Sequence, residues 1–162
     1  MMTNCWVKGI YFGCLLMISM AVSAGQTAGL VKVSDAWLPP RPDTMSVNAG
    51  YFTLHNHSHK TLALVGVSSP AFSSIEIHES TLTDGVFSMR RVFEVPIKSH
   101  ELVEFKPSGL HLMMRNMTSK KTRGDRFPVT LSFANGESLE FLMSVREDPN
   151  MKSTHLEDHH HE

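Results

Sequence analysis

The sequence predicts an all-β protein built as a single sandwich or barrel domain. Three observations carry that expectation. Short runs of alternating apolar and polar residues recur along the chain, with turn residues between them. No run is long enough, at a 3.6-residue period, to form a major helix. The 162 residues, less an N-terminal leader, are one domain's worth of chain.

Residues 1–24 read as a secretory signal peptide. Lys8 is their only charge, an apolar run from Gly9 to Val22 follows, and Ser23 and Ala24 supply the small residues of a cleavage site. The apolar run is shorter than the roughly 20 residues that a spanning helix needs. The expectation is therefore a periplasmic protein cut near Ala24, with no membrane span after leader removal. Tyr11 and Phe12 ahead of Cys14 make a poor lipid-attachment site, so no lipid anchor is expected. Residues 25–146 are expected to form the β domain and 147–162 a flexible, His-rich tail.

Both cysteines, Cys5 and Cys14, lie in the leader. A mature chain without cysteine has no disulfide framework, and it lacks the thiolate of a blue-copper electron-transfer site. Losing Lys8 leaves 14 basic against 16 acidic residues, a net charge of −2 with histidine neutral. That balance offers no basic patch for nucleic acid. A monomer is expected.

Within the domain, strands are predicted at 30–37, 47–55, 61–67, 74–78, 86–93, 101–105, 110–115, 127–133 and 138–145. Pro39 to Pro42, Asp84-Gly85, Pro107 to Gly109, Arg123 to Asp125 and Asn135-Gly136 punctuate them. Asn-Gly and Asp-Gly supply the positive φ angles of tight hairpin turns. Asn135-Gly136, between two alternating runs, is the strongest hairpin signal.

The candidate chemistry lies in four spaced residues. Ten residues separate His78 from Met89, twenty-one separate Met89 from His111, and Met113 follows two positions on. With 10 His and 11 Met in the chain, chance agreement with such a pattern is on the order of 0.3%. Thioether sulfur is soft and selects Cu(I), and imidazole suits copper in either oxidation state. In an extended strand alternate residues share a face, so His111 and Met113 emerge together while Leu112 and Met114 point the other way. By the same rule Glu76 and His78 oppose Ile75 and Ile77. Met89 alternates in phase with Phe87, Arg91 and Phe93, on a face that reads equally as core or as an apolar rim around a metal. Methionine is also a common core filler. Met45, beside the Pro-rich stretch, reads as a partly exposed loop residue or as a cover for the metal.

These residues and their surroundings resemble the periplasmic copper chaperone family PCu(A)C. The segments from Val65 to Pro70, Ile75 to Glu79, Pro107 to Met113 and Val129 to Phe133, with Gly124-Asp125, carry the likeness, which runs from about Val33 to Val145. The resemblance implies a cupredoxin-like Greek-key β fold and Cu(I) held by His78, Met89, His111 and Met113. It also implies delivery to a copper-accepting protein, such as an oxidase assembly factor or oxidase subunit, for cytochrome c oxidase copper-site assembly. Such a carrier makes no bonds in a substrate and is not an enzyme. Many relatives carry an extra Met or His just after the first ligand; Glu79 and Ser80 stand there in this chain.

Two further histidine groups stand apart. His55, His57 and His59 share a face of an extended segment and read either as a solvated loop or as a Cu(II) or Zn(II) site. His155, His159, His160 and His161 in the tail form a possible second metal site, for Cu(II). Two other functions fit the sequence less well. A copper redox enzyme of superoxide-dismutase type is suggested faintly by His55 and His57, without the cysteines such enzymes use. The other is a metal-free β-sandwich interaction module whose methionines merely pack.

Overall fold

The strongest alternation in the chain lies in residues 47–56, where each half-buried residue is followed by a buried one. That pattern makes a central strand with one face on the core. In a computed structural model, which describes residues 30–42 and 45–148, this segment is β2 (Val47–Asn56) of ten strands. The others are β1 (Val31–Leu38), β3 (Leu62–Ser68), β4 (Phe72–Thr83), β5 (Val86–Val92), β6 (Val95–Ile97), β7 (Leu102–Phe105), β8 (Leu110–Met117), β9 (Arg126–Phe133) and β10 (Ser138–Val145). No helix occurs among the described residues. The expected leader, its cleavage point and the tail histidines lie outside the described residues.

The strands hydrogen-bond in the order β5-β4-β8-β7-β2-β1-β10-β9-β3-β6. The order is far from sequential: β4 lies against β8, and β1 runs parallel to β10. These crossovers are of the Greek-key kind. The sheet curls until its two halves meet, with Phe72 of β4 edge-on to Phe127 of β9 at 5.6 Å. The architecture is all-β, as the alternating runs predict, and of the cupredoxin-like kind that the resemblance implies.

The core between the halves holds Phe52, Leu54, Leu64, Leu112, Met114, Val129, Leu131 and Met143, all essentially without exposure. Phe52 stacks on Phe105 with ring centroids 4.2 Å apart. A Cβ at Gly50 in β2 would lie 2.9 Å from the Met114 sulfur and 3.3 Å from that of Met143, so glycine there lets both methionines pack close against the strand. These two methionines are gap-fillers of the core.

The two outermost strands are blunted against further pairing. β5 is exposed along nearly its whole length and carries Arg90 and Arg91. β6 is three residues long with Pro96 at its centre, where a missing N–H is tolerated only at an edge. β4 and β5 join through Asp84 (φ 52°) and Gly85 (φ 78°), both at the positive φ that a type I′ turn needs.

At the other predicted hairpin the strands pair as expected, Ser132 opposite Ser138, but the turn differs. Only Gly136 takes a positive φ (84°), and its N–H donates to the Phe133 carbonyl at 3.0 Å. The longer turn, with one left-handed glycine after it, replaces the two-residue form.

Candidate metal centre

β5, β4 and β8 lie side by side at one edge of the sheet. Residues directly opposite in an antiparallel pair share a face. His78 on β4 stands opposite His111 on β8, with ring centroids 6.1 Å apart. Met113, two residues beyond His111, stands opposite Glu76. On β5, Met89 stands opposite Ser80, and Arg91 opposite His78. All four candidate ligands therefore leave the same face of three adjacent strands. Met89 is 54% exposed, so its side of β5 is a rim and not core.

Each imidazole has one nitrogen engaged and one left open. His111 is buried, and its Nδ1 lies 2.9 Å from the Gly109 carbonyl. A carbonyl only accepts, so Nδ1 carries the proton and Nε2 keeps its lone pair. On His78 it is Nε2 that lies 2.9 Å from Glu76 Oε2, while Nδ1 is buried with no hydrogen-bond partner among the described residues. A buried lone pair without a partner is costly. A metal ion would satisfy it. The Glu76–His78 contact is the carboxylate support that metal-bound histidines commonly have.

Glu76 is the residue beside the candidate ligands that sequence reasoning did not single out. Its carboxyl is held below the usual glutamate range, first by the hydrogen bond from His78 and then by the charges of Arg91 and Arg115. Arg91 Nη1 lies 2.9 Å from Glu76 Oε1 and Arg115 Nη2 4.0 Å from Oε2. The carboxylate is thus charged above the ordinary glutamate range and stays so below it. The stability it contributes is full there and is lost only as pH falls through its lowered value. The available signal was its position two residues before His78 on the same face.

His111, Met89 and Met113 open onto one cavity of about 480 Å³, together with Met45, Arg41 and Asn48. His78 does not line it and stands beside His111 with Glu76. Met45 reaches the cavity from the Pro-rich loop, its sulfur 3.5 Å from Arg41 Nη1. Asn48 is 2% exposed, and its Oδ1 has no hydrogen-bond partner among the described residues. The Met113 sulfur accepts from Arg115 Nη2 at 2.9 Å. The donor set has two ring nitrogens and two thioethers, all neutral, with guanidinium groups close by. Such a set suits a soft ion of low charge better than a hard dication.

Of the first histidine triplet, His55 and His57 lie together with ring centroids 3.8 Å apart, whereas His59 pairs with His100 instead. His100 lies 41 residues from His59 and has no local pattern that links the two.

The family model described as putative lipoprotein LpqE-like matches residues 31–145, most of the chain. The chain belongs to the LpqE-like family. The putative lipoprotein Lxx21020 of Leifsonia xyli is 27% identical to this LpqE-like protein over 139 residues, covering 83% of this chain and 81% of its own. Among solved structures, the copper-bound PCuAC domain from PmoF2 superposes with a TM-score of 0.62 at 19% identity, covering 74% of this chain and 95% of that domain. The Cu(I) form of DR1885 from Deinococcus radiodurans gives a TM-score of 0.58 at 24% identity, covering 70% and 76%. The LpqE-like chain thus has the fold of PCuAC domains, which bears out the resemblance read from its sequence. No helix among the described residues is long and apolar enough to cross a membrane.

Proposed function

We propose that this LpqE-like protein is an exported copper chaperone that holds one Cu(I) on His78, Met89, His111 and Met113 and passes it to a partner. The observation that carries this reading is the His78–His111 pair. Two cross-strand imidazoles each have one nitrogen tied and the other open, and two thioethers leave the same face. The names of two structural neighbours, one copper-bound and one with Cu(I), support copper as the cargo. Neutral thioethers give moderate affinity, and an accessible rim lets an acceptor take the ion by stepwise exchange. No group in the scheme performs bond-making chemistry. The acceptor is proposed to be an oxidase assembly factor or oxidase subunit. Cu(II) is proposed to bind the tail imidazoles of His155, His159, His160 and His161.

The test is X-ray absorption of the Cu(I)-loaded full-length protein after leader removal, which separates sulfur from nitrogen neighbours. Two of each are expected. A spectrum with no sulfur neighbour would end the four-ligand reading.

Two further outcomes are expected. Glu76→Gln removes the carboxylate that fixes His78, and Cu(I) affinity should fall about 10–100-fold, read by competition with a chromogenic Cu(I) chelator. Phe87 (69% exposed) and Leu82 (59%) stand opposite one another on the ligand face, beside Met89. They form an apolar rim of the kind that marks a contact surface. Phe87→Ser should slow Cu(I) transfer to a thiol-containing acceptor protein while leaving Cu(I) affinity unchanged. An equal loss in both would assign Phe87 to the site itself.

A further inference from the structure

The cavity face of β2 begins at Val47, and the other end of that strand carries a second concentration of imidazole. His55 and His57 lie with ring centroids 3.8 Å apart. His100 Nε2 lies 3.2 Å from His59 Nδ1. The seven residue steps from Asn48 to His55 span about 23 Å of extended strand, so this cluster is remote from the Met/His site. We propose that His55, His57, His59 and His100 form a second metal site, for a divalent imidazole-preferring cation, Zn(II) or Cu(II).

The geometry of the His59–His100 pair is the first argument. With metal–nitrogen bonds of about 2.0–2.1 Å, two ligands of a tetrahedral ion have their nitrogens about 3.3 Å apart. The 3.2 Å separation observed is that of a hydrogen bond between the two rings, and an ion that replaced its proton would need little change in the nitrogen spacing. The second pair is close by, since His55 stands opposite Leu102 in the β2–β7 pairing and the Asn56 N–H donates to the carbonyl of Glu101, the residue after His100, at 2.9 Å.

The second argument is the scaffold beneath. Asn56 is wholly buried. Its amide nitrogen donates to the carbonyls of Lys60, Ile97 and Lys98 at 2.8, 3.1 and 2.9 Å. Its oxygen accepts from the Ser58 N–H and hydroxyl at 2.9 and 2.7 Å. Ser99 Oγ donates to the Ser58 carbonyl at 2.9 Å. One side chain thereby clamps the loop bearing His57 and His59 to the turn bearing His100. His100 itself is held at φ 59°, a left-handed conformation that few residues other than glycine adopt.

No three His, Cys, Asp or Glu side chains among the described residues already surround one point. The rings come as two neighbouring pairs, and loading closes them by rotation of the exposed His57, His59 and His100 side chains toward the half-buried His55, a ps–ns motion. Lys32, opposite His55 in the β1–β2 pairing, opposes a cation there and moderates affinity. The donors are all nitrogen, so the site prefers borderline divalent ions, Cu(II) above Zn(II), and leaves Cu(I) to the thioethers.

The test is titration of the full-length protein, after leader removal, with Zn(II) and separately with Cu(II). His155, His159, His160 and His161 are replaced by alanine in the background to remove the tail. Imidazole nitrogen NMR follows Zn(II), and nitrogen hyperfine structure in electron paramagnetic resonance follows Cu(II). One equivalent of Zn(II) should shift the rings of His55, His57, His59 and His100 together. His59→Gln with His100→Asn, chosen because asparagine tolerates a left-handed backbone, should weaken Zn(II) and Cu(II) binding at least tenfold. His57→Gln should weaken both as well. If those four rings do not move at one equivalent, or if the double variant binds both ions with unaltered affinity, the site does not exist. Retention of Zn(II) with loss of Cu(II) in the variants would likewise refute a shared site.

Discussion

Cu(I) binding to the full-length protein should fall by more than about 100-fold when His111 is replaced by alanine, the loss exceeding the roughly 10–100-fold range seen for supporting residues. His111 is the best-fixed donor of the set. It is buried, and the Gly109 carbonyl holds its Nδ1. The lost ligand leaves a hole at the base of the cavity that water cannot fill as a soft donor. Met113→Ala should act in the same direction, and the double variant Met89→Ala/Met113→Ala should leave only two imidazoles and no preference for Cu(I) over Cu(II). Competition with a chromogenic Cu(I) chelator measures each. Unaltered Cu(I) affinity in the double variant would remove the thioethers from the scheme, whatever the imidazoles do.

The second large effect is on stability. Asn56→Ala should cost about 2–4 kcal/mol, because it leaves buried polar groups short of a partner at about 1–3 kcal/mol each. The Ser58 N–H loses its acceptor and the Ile97 carbonyl this donor, while the Lys60 and Lys98 carbonyls keep the Ser58 hydroxyl and the Glu101 N–H. The midpoint of chemical denaturation is the readout. Cu(I) affinity should stay as it was, since the clamp and the cavity occupy opposite ends of β2. A variant with wild-type stability would show that water replaces the amide at no cost.

The sequence showed most strongly where one face of a strand is buried. β2 and β9 alternate along their whole length, and both were legible. β4 extends to Thr83, beyond the predicted end at residue 78, because its outer half pairs only with the exposed β5 and leaves no apolar alternation. β6 escaped notice because Val95, Pro96 and Ile97 read as a breaker between two apolar residues. Within the site, alternation alone separated Met113 from Met114, one facing the ligands and the other the core. It could not orient Met89, since an edge strand has no buried side to reveal. The contact of His78 with His111 depends on a pairing between distant segments. So does that of His59 with His100, and neither has a local signature.

The donors sit on three neighbouring strands, so their meeting depends on how those strands are aligned. A slip of β4 by a single position against β8 would turn His78 and Glu76 to the reverse side. The two-residue turn at Asp84-Gly85 fixes the offset of β5 in the same way. Under the proposed function, selectivity for the cargo is written partly in the hairpin, and a lesion at a residue that never touches the ion abolishes the grip by misaligning those that hold it.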